Sequence, residues 1–342
     1  MRTLLFALLL AYLPVTLSAQ LSEVLKDPNV TWAAIFTAKR DFRLTATGGL
    51  SEIQLTKFTP PENQCANFKN DNWLAQWLID GMKAGQYKAF DDPEMKVFVG
   101  QPVLLSRITQ SDVITTFDPA TYEEKTRIIN NDLKADEIVG FQTSEVIYFD
   151  KKSGGYQTCL LALAPMVRIR NDNGSTIGDE PIAWLAMDGN QPSSPNDVIW
   201  SVLSLDKKAS FKTNELQVVK DDQKQPFLTS LWQTTKSGKL AVKSSEKYGC
   251  GEELPKAALE QMFSVIDTII TFDAETYKES MQIVKHTYDD RDVQTVKLVQ
   301  EWYFDNRRKM LGSRLKAIAP VIDVKDVNGI FLYNRTMFYL YN

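Results

Sequence analysis

Apolar and polar positions along this chain fall into a helix-then-strands order that is written twice. Residues Leu74, Trp77, Leu78, Gly81 and Met82 recur at the three-and-four spacing of an amphipathic helix, and Gly85 stands where a left-handed stop is expected. A second helix of the same kind is predicted from Phe227 to Gly238, with Leu228, Leu231 and Trp232 on one face. Both end in Lys-x-Gly, which only glycine closes without steric cost. Beyond each helix the period changes to two. Phe141, Thr143, Glu145, Ile147 and Phe149 alternate with their neighbours, as do Val296, Leu298, Gln300, Trp302 and Phe304, which predicts half-buried strands. Thr126–Ile129 and Gln282–Val284 are shorter strand candidates. The run from Cys159 to Pro165 is apolar on both faces, so a central strand is expected there, with Pro165, and Pro320 in the other half, marking its end or a bulge. A closing strand is predicted at Pro181–Met187 and at Met337–Tyr341.

The two halves keep one register. Phe117-Asp118-Pro119-Ala120-Thr121-Tyr122 returns as Phe272-Asp273-Ala274-Glu275-Thr276-Tyr277, Tyr148-Phe149-Asp150 as Tyr303-Phe304-Asp305, and Ala164-Pro165 as Ala319-Pro320, each 155 positions later. Tandem duplication of one folding unit accounts for that, since chance patterning does not hold a register through turns and prolines. Each copy opens on a tryptophan, Trp32 or Trp200, followed by apolar residues and a basic pair, Lys39-Arg40 or Lys207-Lys208. Strands joined by short turns pair antiparallel, and one helix covers the sheet, so the expected class is α+β: two tandem homologous domains, each a small, mainly antiparallel sheet with a covering helix. The expected division is residues 1–19, 20–187, a turn-rich linker 188–199, and 200–342.

Composition narrows the function. With 39 basic and 43 acidic residues and a pI near 5.3, the chain offers no phosphate-tracking surface, and nucleic acid is not an expected partner. Arg2, the apolar run Leu4–Val15 and the small residues through Ala19 have the order of a secretory signal, and the run is too short for a bilayer core of about 30 Å. An exported protein is expected. Cys65, Cys159 and Cys250 form no CxxC; Cys159 reads as a small buried hydrophobe, and any disulfide pairing stays open.

No catalytic set emerges. The single histidine, His286, aligns with Asn131 and has no G-x-S-x-G nucleophile to serve. Asp118 and Asp273, and Asp150 and Asp305, recur in both copies, but their contexts suit turn fixing better than acid–base work. Glu145 and Glu301 do not align, and no phosphate-binding glycine motif occurs. No catalytic, metal or cofactor residues are therefore assigned. Trp184, Trp302, Tyr303, Tyr339 and Tyr341 could build a contact patch, but strand spacing favours the core. The triplets at Asn29, Asn173 and Asn334 would matter only on a eukaryotic secretory route.

The ordered motifs resemble the GldN/PorN family of the type IX secretion and gliding-motility machinery of Bacteroidota. A W-x-x-[IL]-x-L opening is matched at Trp200–Leu205 and more loosely at Trp32–Phe36, and the Lys-x-Gly helix end at Leu231–Lys239 and Leu78–Gly85. The T-F-D-x-x-T-Y turn occurs twice, and the W-Y-F-D strand with its R-[LI]-x-x-[IL]-A-P partner lies at Trp302–Arg308 and Arg314–Val321. The first copy has drifted further, with Ile147 for Trp302 and Cys159-Leu160 for Arg314-Leu315. The family has one such core followed by a helical region, whereas this sequence carries two cores. The resemblance implies a non-enzymatic periplasmic assembly protein, homo- or hetero-oligomeric. It would bind a GldK/PorK-like outer-membrane lipoprotein and other secretion-complex subunits, and touch the outer membrane only through them. The alternative, read from the aromatic content and the duplication, is a secreted two-domain ligand-binding protein whose cleft closes on a small molecule or glycan.

Overall fold

A computed structural model describes residues 19–40, 53–58, 73–109, 111–117, 120–187, 198–204, 210–222, 224, 227–238, 240–244, 253–255, 257–259, 264–272, 278–288, 290–305, 310–325 and 329–341. Residues 1–18 of the expected export signal, residues 188–197 of the expected linker, Cys65, Cys250, Asp118 and residues 273–277 lie outside them.

Copy one runs α1 (Ala19–Lys26), β1 (Val30–Arg40), β2 (Ile53–Phe58), α2 (Trp73–Lys83), β3 (Ala89–Phe90), β4 (Phe98–Val99), α3 (Gln101–Ile108), β5 (Ser111–Phe117), β6 (Glu124–Asn130), β7 (Ile138–Asp150), β8 (Gly155–Arg170), β9 (Thr176–Pro181) and β10 (Trp184–Ala186). Copy two runs β11 (Val198–Ser204), β12 (Ser210–Lys212), β13 (Gln217–Asp221), α4 (Phe227–Ser237), β14 (Val242–Lys243), β15 (Ser264–Phe272), β16 (Glu279–Thr287), β17 (Val293–Asp305), β18 (Met310–Lys325), β19 (Phe331–Thr336) and β20 (Tyr339–Tyr341). From β7 to β10 every strand begins and ends 155 residues before its counterpart in β17 to β20. Even the bulges correspond: β7 slips between Ser144 and Glu145, β17 between Val299 and Gln300.

The helices form where expected. In α2, Leu74, Leu78, Ile79 and Met82 are buried while Gln76 and Asp80 face solvent and bond to each other at 2.9 Å. Burying those four side chains contributes on the order of 6–12 kcal/mol before entropy is charged. Gly85 and Gly238, both at φ +68°, end α2 and α4 in the left-handed conformation.

Two antiparallel sheets of eight strands carry the core. The first has the order β13-β1-β7-β8-β10-β3-β4, with β9 beside β8; the second has the order β14-β20-β18-β17-β11-β2, with β12 beside β17 and β19 beside β18. Each sheet thus takes one strand from the other copy. β13 of copy two lies against β1, and β2 of copy one lies against β11. The exchange is reciprocal in detail: β1 slips register between Ala33 and Ala34, and β11 between Ser201 and Val202, the equivalent position.

The cores are shared in the same way. Trp302 and Leu311 of copy two are buried with α2 of copy one, and Trp32, Ile147 and Tyr156 of copy one are buried with α4 of copy two. Trp32 stacks on Phe227 of α4 at 4.7 Å between ring centroids.

One expectation is corrected in part. Of the end or bulge expected at Pro165 and Pro320, the end does not occur, because β8 runs on to Arg170 and β18 to Lys325, while the register slips just beyond each proline, opposite Met166–Val167 and Val321–Ile322. Each proline sits where its strand changes neighbour, β10 giving way to β9 and β20 to β19, and its carbonyl accepts from Ile182 or Met337. The N–H that proline lacks would fall in that gap, so no ladder bond is lost. The second basic pair, Lys207-Lys208, lies outside the described residues; Arg40 lies opposite Phe141, and the place opposite Val296 is held by Phe211.

Candidate interaction surfaces

The most concentrated polar chemistry among the described residues lies between the copies, not on the surface. Arg40 donates through Nη2 to Glu145 Oε1 at 2.5 Å and to Gln300 Oε1 at 2.7 Å. Gln300 Nε2 donates to Glu145 Oε2 at 2.6 Å, and Thr143 Oγ1 to Glu145 Oε1 at 2.7 Å. Arg40 also lies over the Trp302 ring, 5.2 Å from its centroid. The Glu145 carboxylate has no solvent exposure, so a charge is tolerated there only because it is matched and multiply hydrogen-bonded. This cluster is a joint between the copies, closed to any substrate.

The remaining residues singled out from the sequence separate by role. The Asp150 carboxylate accepts the backbone N–H of Lys152 at 2.8 Å and of Ser153 at 3.2 Å, fixing the β7–β8 turn as anticipated. Asp305 is buried at the end of β17. His286 sits in β16 opposite Val265. Cys159 is buried, and its burial, with Glu145 and Glu23 nearby, pushes the thiol up to about 12. Trp184, Trp302, Tyr303 and Tyr339 belong to the core, and Tyr341 is half-buried. No group of three or more metal-ligating side chains occurs among the described residues. An open pocket of about 290 Å³ is lined by Thr37, Ala38, Lys39, Gln142, Ser210 and Glu215, mostly polar and short of convergent donors.

Exposed apolar residues gather instead on the first of two β-ribbons. β5 and β6 pair only with each other, and so do β15 and β16. Phe117 lies opposite Glu124 in the first ribbon and Phe272 opposite Glu279 in the second, so the two phenylalanines that open the twice-written motif stand at one register. In the first ribbon Ile128 is 65% exposed, Phe117 66% and Tyr122 83%. Tyr122 has φ 55°, a left-handed backbone uncommon for a tyrosine. The sequence had suggested only the returning strands, Thr126–Ile129 and Gln282–Val284; the outgoing strands β5 and β15 went unseen, because their threonines and isoleucines carry no clean alternation.

A second patch is particular to copy two. Ile330, Phe331, Leu332 and Tyr333, at the start of β19, are all more than half exposed. The counterpart β9 reads Thr-Ile-Gly-Asp-Glu-Pro, a glycine, two acids and a proline that discourage strand addition.

Two comparisons with known proteins bear on this arrangement. The family model described as "Gliding motility associated protein GldN" matches residues 53–192 and again residues 196–341. No curated protein matches the chain.

Proposed function

We propose that this chain, which belongs to the GldN family, works as a non-enzymatic assembly subunit of the gliding-motility and type IX secretion machinery, seated in the periplasm. Family membership makes it a component of that machinery. In this reading residues 1–19 direct export, residues 20–187 and 200–342 are the two family cores joined by 188–199, and an outer-membrane lipoprotein of the GldK/PorK kind is the partner. The observation that carries the assembly role is the first ribbon, which presents Phe117 and Tyr122 to solvent instead of burying them. Large aromatic rings held out on a two-stranded ribbon are contact groups, since such a ribbon has no core of its own to bury them.

A ligand-binding protein that closes a cleft between two lobes draws less support. Lobes that close must move as separate bodies, and these two share sheets through β2 and β13. The test is purification of tagged chain from detergent-solubilised native envelopes. An outer-membrane lipoprotein should come with it in defined ratio; recovery of the chain alone, as a free soluble species, would overturn the proposal.

A further inference from the structure

We infer that two copies of this chain join edge to edge through β5 of the first ribbon, antiparallel and centred on Ile114, so that four strands run in the order β6-β5-β5-β6. This goes beyond the assembly reading: the occupant is a second copy, and the contact is made by the edge of the ribbon, leaving Tyr122 at its end for another partner. Three observations lead there.

The first is that the ribbon is incomplete. β5 and β6 pair with each other over seven residue pairs and with no other described strand. Residues 114–117 and 126–128 are all exposed, and since neighbours along a strand point to opposite faces, both faces of the ribbon are bare. Two strands on their own are marginal in water, and a stable sheet needs three or more. Further strands can join the ribbon at its edge without disturbing either large sheet.

The second is how the edges differ. The outer strands of the large sheets are guarded: β4 and β14 have two residues each, β13 includes Lys220 and Asp221, and β2 includes Lys57. In the ribbon, β6 reads Glu-Lys-Thr-Arg-Ile-Ile-Asn, with three charged residues among its first four. β5 reads Ser-Asp-Val-Ile-Thr-Thr-Phe, with no charge after Asp112, no proline and no slip in register. An unbroken, uncharged run of β-branched and aromatic residues favours strand pairing. The outer edge of β5 is therefore a template for another strand, and that of β6 is guarded.

The third is what such an edge selects. Without charge it has little with which to single out a foreign strand. Its own copy is selected by symmetry, because an antiparallel strand set against itself matches donors to acceptors along its whole length, and an isologous contact of that kind closes at two copies. Centred on Ile114, all seven residues overlap. Ile114, 44% exposed in the single chain, then meets its own counterpart as an apolar cross-strand pair, and Asp112 falls opposite Thr116 instead of opposite another acid.

Sedimentation of the full chain tests this. Wild type should be a dimer at micromolar concentrations. Ile114→Lys and Ile114→Glu each set like charges opposite one another and should raise the dimer dissociation constant at least about tenfold. Their unfolding midpoints should not change, because the ribbon lies outside both large sheets. An equimolar mixture of the two variants should dimerise again, with one of each per particle. Under mild oxidation Ile114→Cys should link two chains by a disulfide beyond the background of wild type. Arg127→Cys, opposite Ile114 on β6, should not, since its two copies would stand about 14 Å apart across the four strands. Should a charged variant fold poorly, the two cysteine variants decide. A wild type that stays monomeric up to about 0.1 mM, dimers that Ile114→Lys leaves intact, a mixture that stays monomeric, or no linkage in Ile114→Cys overturns the inference. The assembly reading stands or falls separately, on the lipoprotein recovered from envelopes.

Discussion

The amide of Gln300 donates to the carboxylate of Glu145 at 2.6 Å, although 155 residues separate them and each holds the same place in its own copy. Both follow a bulge in the longest hairpin of their sheet, which turns them toward the middle of the molecule. Arg40 completes the cluster, and it comes from copy one alone, for Phe211 takes the corresponding place in copy two. The axis is therefore structurally two-fold and chemically one-sided.

That one-sidedness sets the cost of disturbing it. Glu145→Gln leaves the buried Arg40 guanidinium without its counter-charge and is expected to lower stability by about 3–5 kcal/mol. Arg40→Met strands the carboxylate and should cost a similar amount. Replacing both, Arg40→Met with Glu145→Gln, should lose clearly less than the two single losses together. Urea denaturation of the four proteins measures the coupling; strictly additive losses would mean the pair is not energetically joined.

Strand exchange makes the copies hard to part. A chain carrying an inserted protease site near residue 190 should, after complete cleavage, still elute from a sizing column as one particle of the intact mass. Only denaturant should separate the fragments, because β2 and β13 are each hydrogen-bonded into the sheet of the other copy. Two separate peaks in native buffer would show that the exchanged strands do not hold.

Gly312 lies across from Tyr303, and a Cβ at position 312 would come within 2.5 Å of that buried ring. Gly312→Ala should therefore cost about 1–3 kcal/mol through overpacking. A smaller residue at 303, as in Tyr303→Leu combined with Gly312→Ala, should return part of the loss. Thermal unfolding of the single and double variants distinguishes this clash from a general intolerance of alanine in β18.

Alkaline pH tests the buried ionisable groups together. Burial lifts Cys159 from its ordinary 9.0 to about 12, and chiefly burial lifts Tyr148 and Tyr303 from 10.0 to about 12. The folded protein then keeps protons that the unfolded chain releases, so stability holds below about pH 9 and falls as pH rises from there toward 12. Denaturant midpoints across that range should decline steadily. The Cys159 thiol should resist alkylation in native protein at neutral pH and react once the chain unfolds.

Much of this architecture was legible in the residues. The constant spacing of 155 announced the duplication, helical periodicity located α2 and α4, and period-two alternation put Glu145 and Gln300 on the same face as Ile147 and Trp302. The prolines misled because a strand was judged by its own residues. Whether Pro165 breaks a ladder depends on which neighbour stands beside it, and β8 changes neighbours at that point. The outgoing ribbon strands were missed for a related reason: a ribbon without a buried face leaves no alternation to detect.

That there are two like copies, where their helices and hairpins lie, and which family they belong to could be read from the order of residues, because those depend on local periodicity and on order along the chain. That the copies trade strands, that Arg40, Glu145 and Gln300 meet, and that Phe117 and Tyr122 stay in solvent became visible in the folded chain alone. Those outcomes depend on which distant backbone edges and side chains find each other, and pairing across 155 residues is settled by shape and charge in space, which no short window of residues encodes.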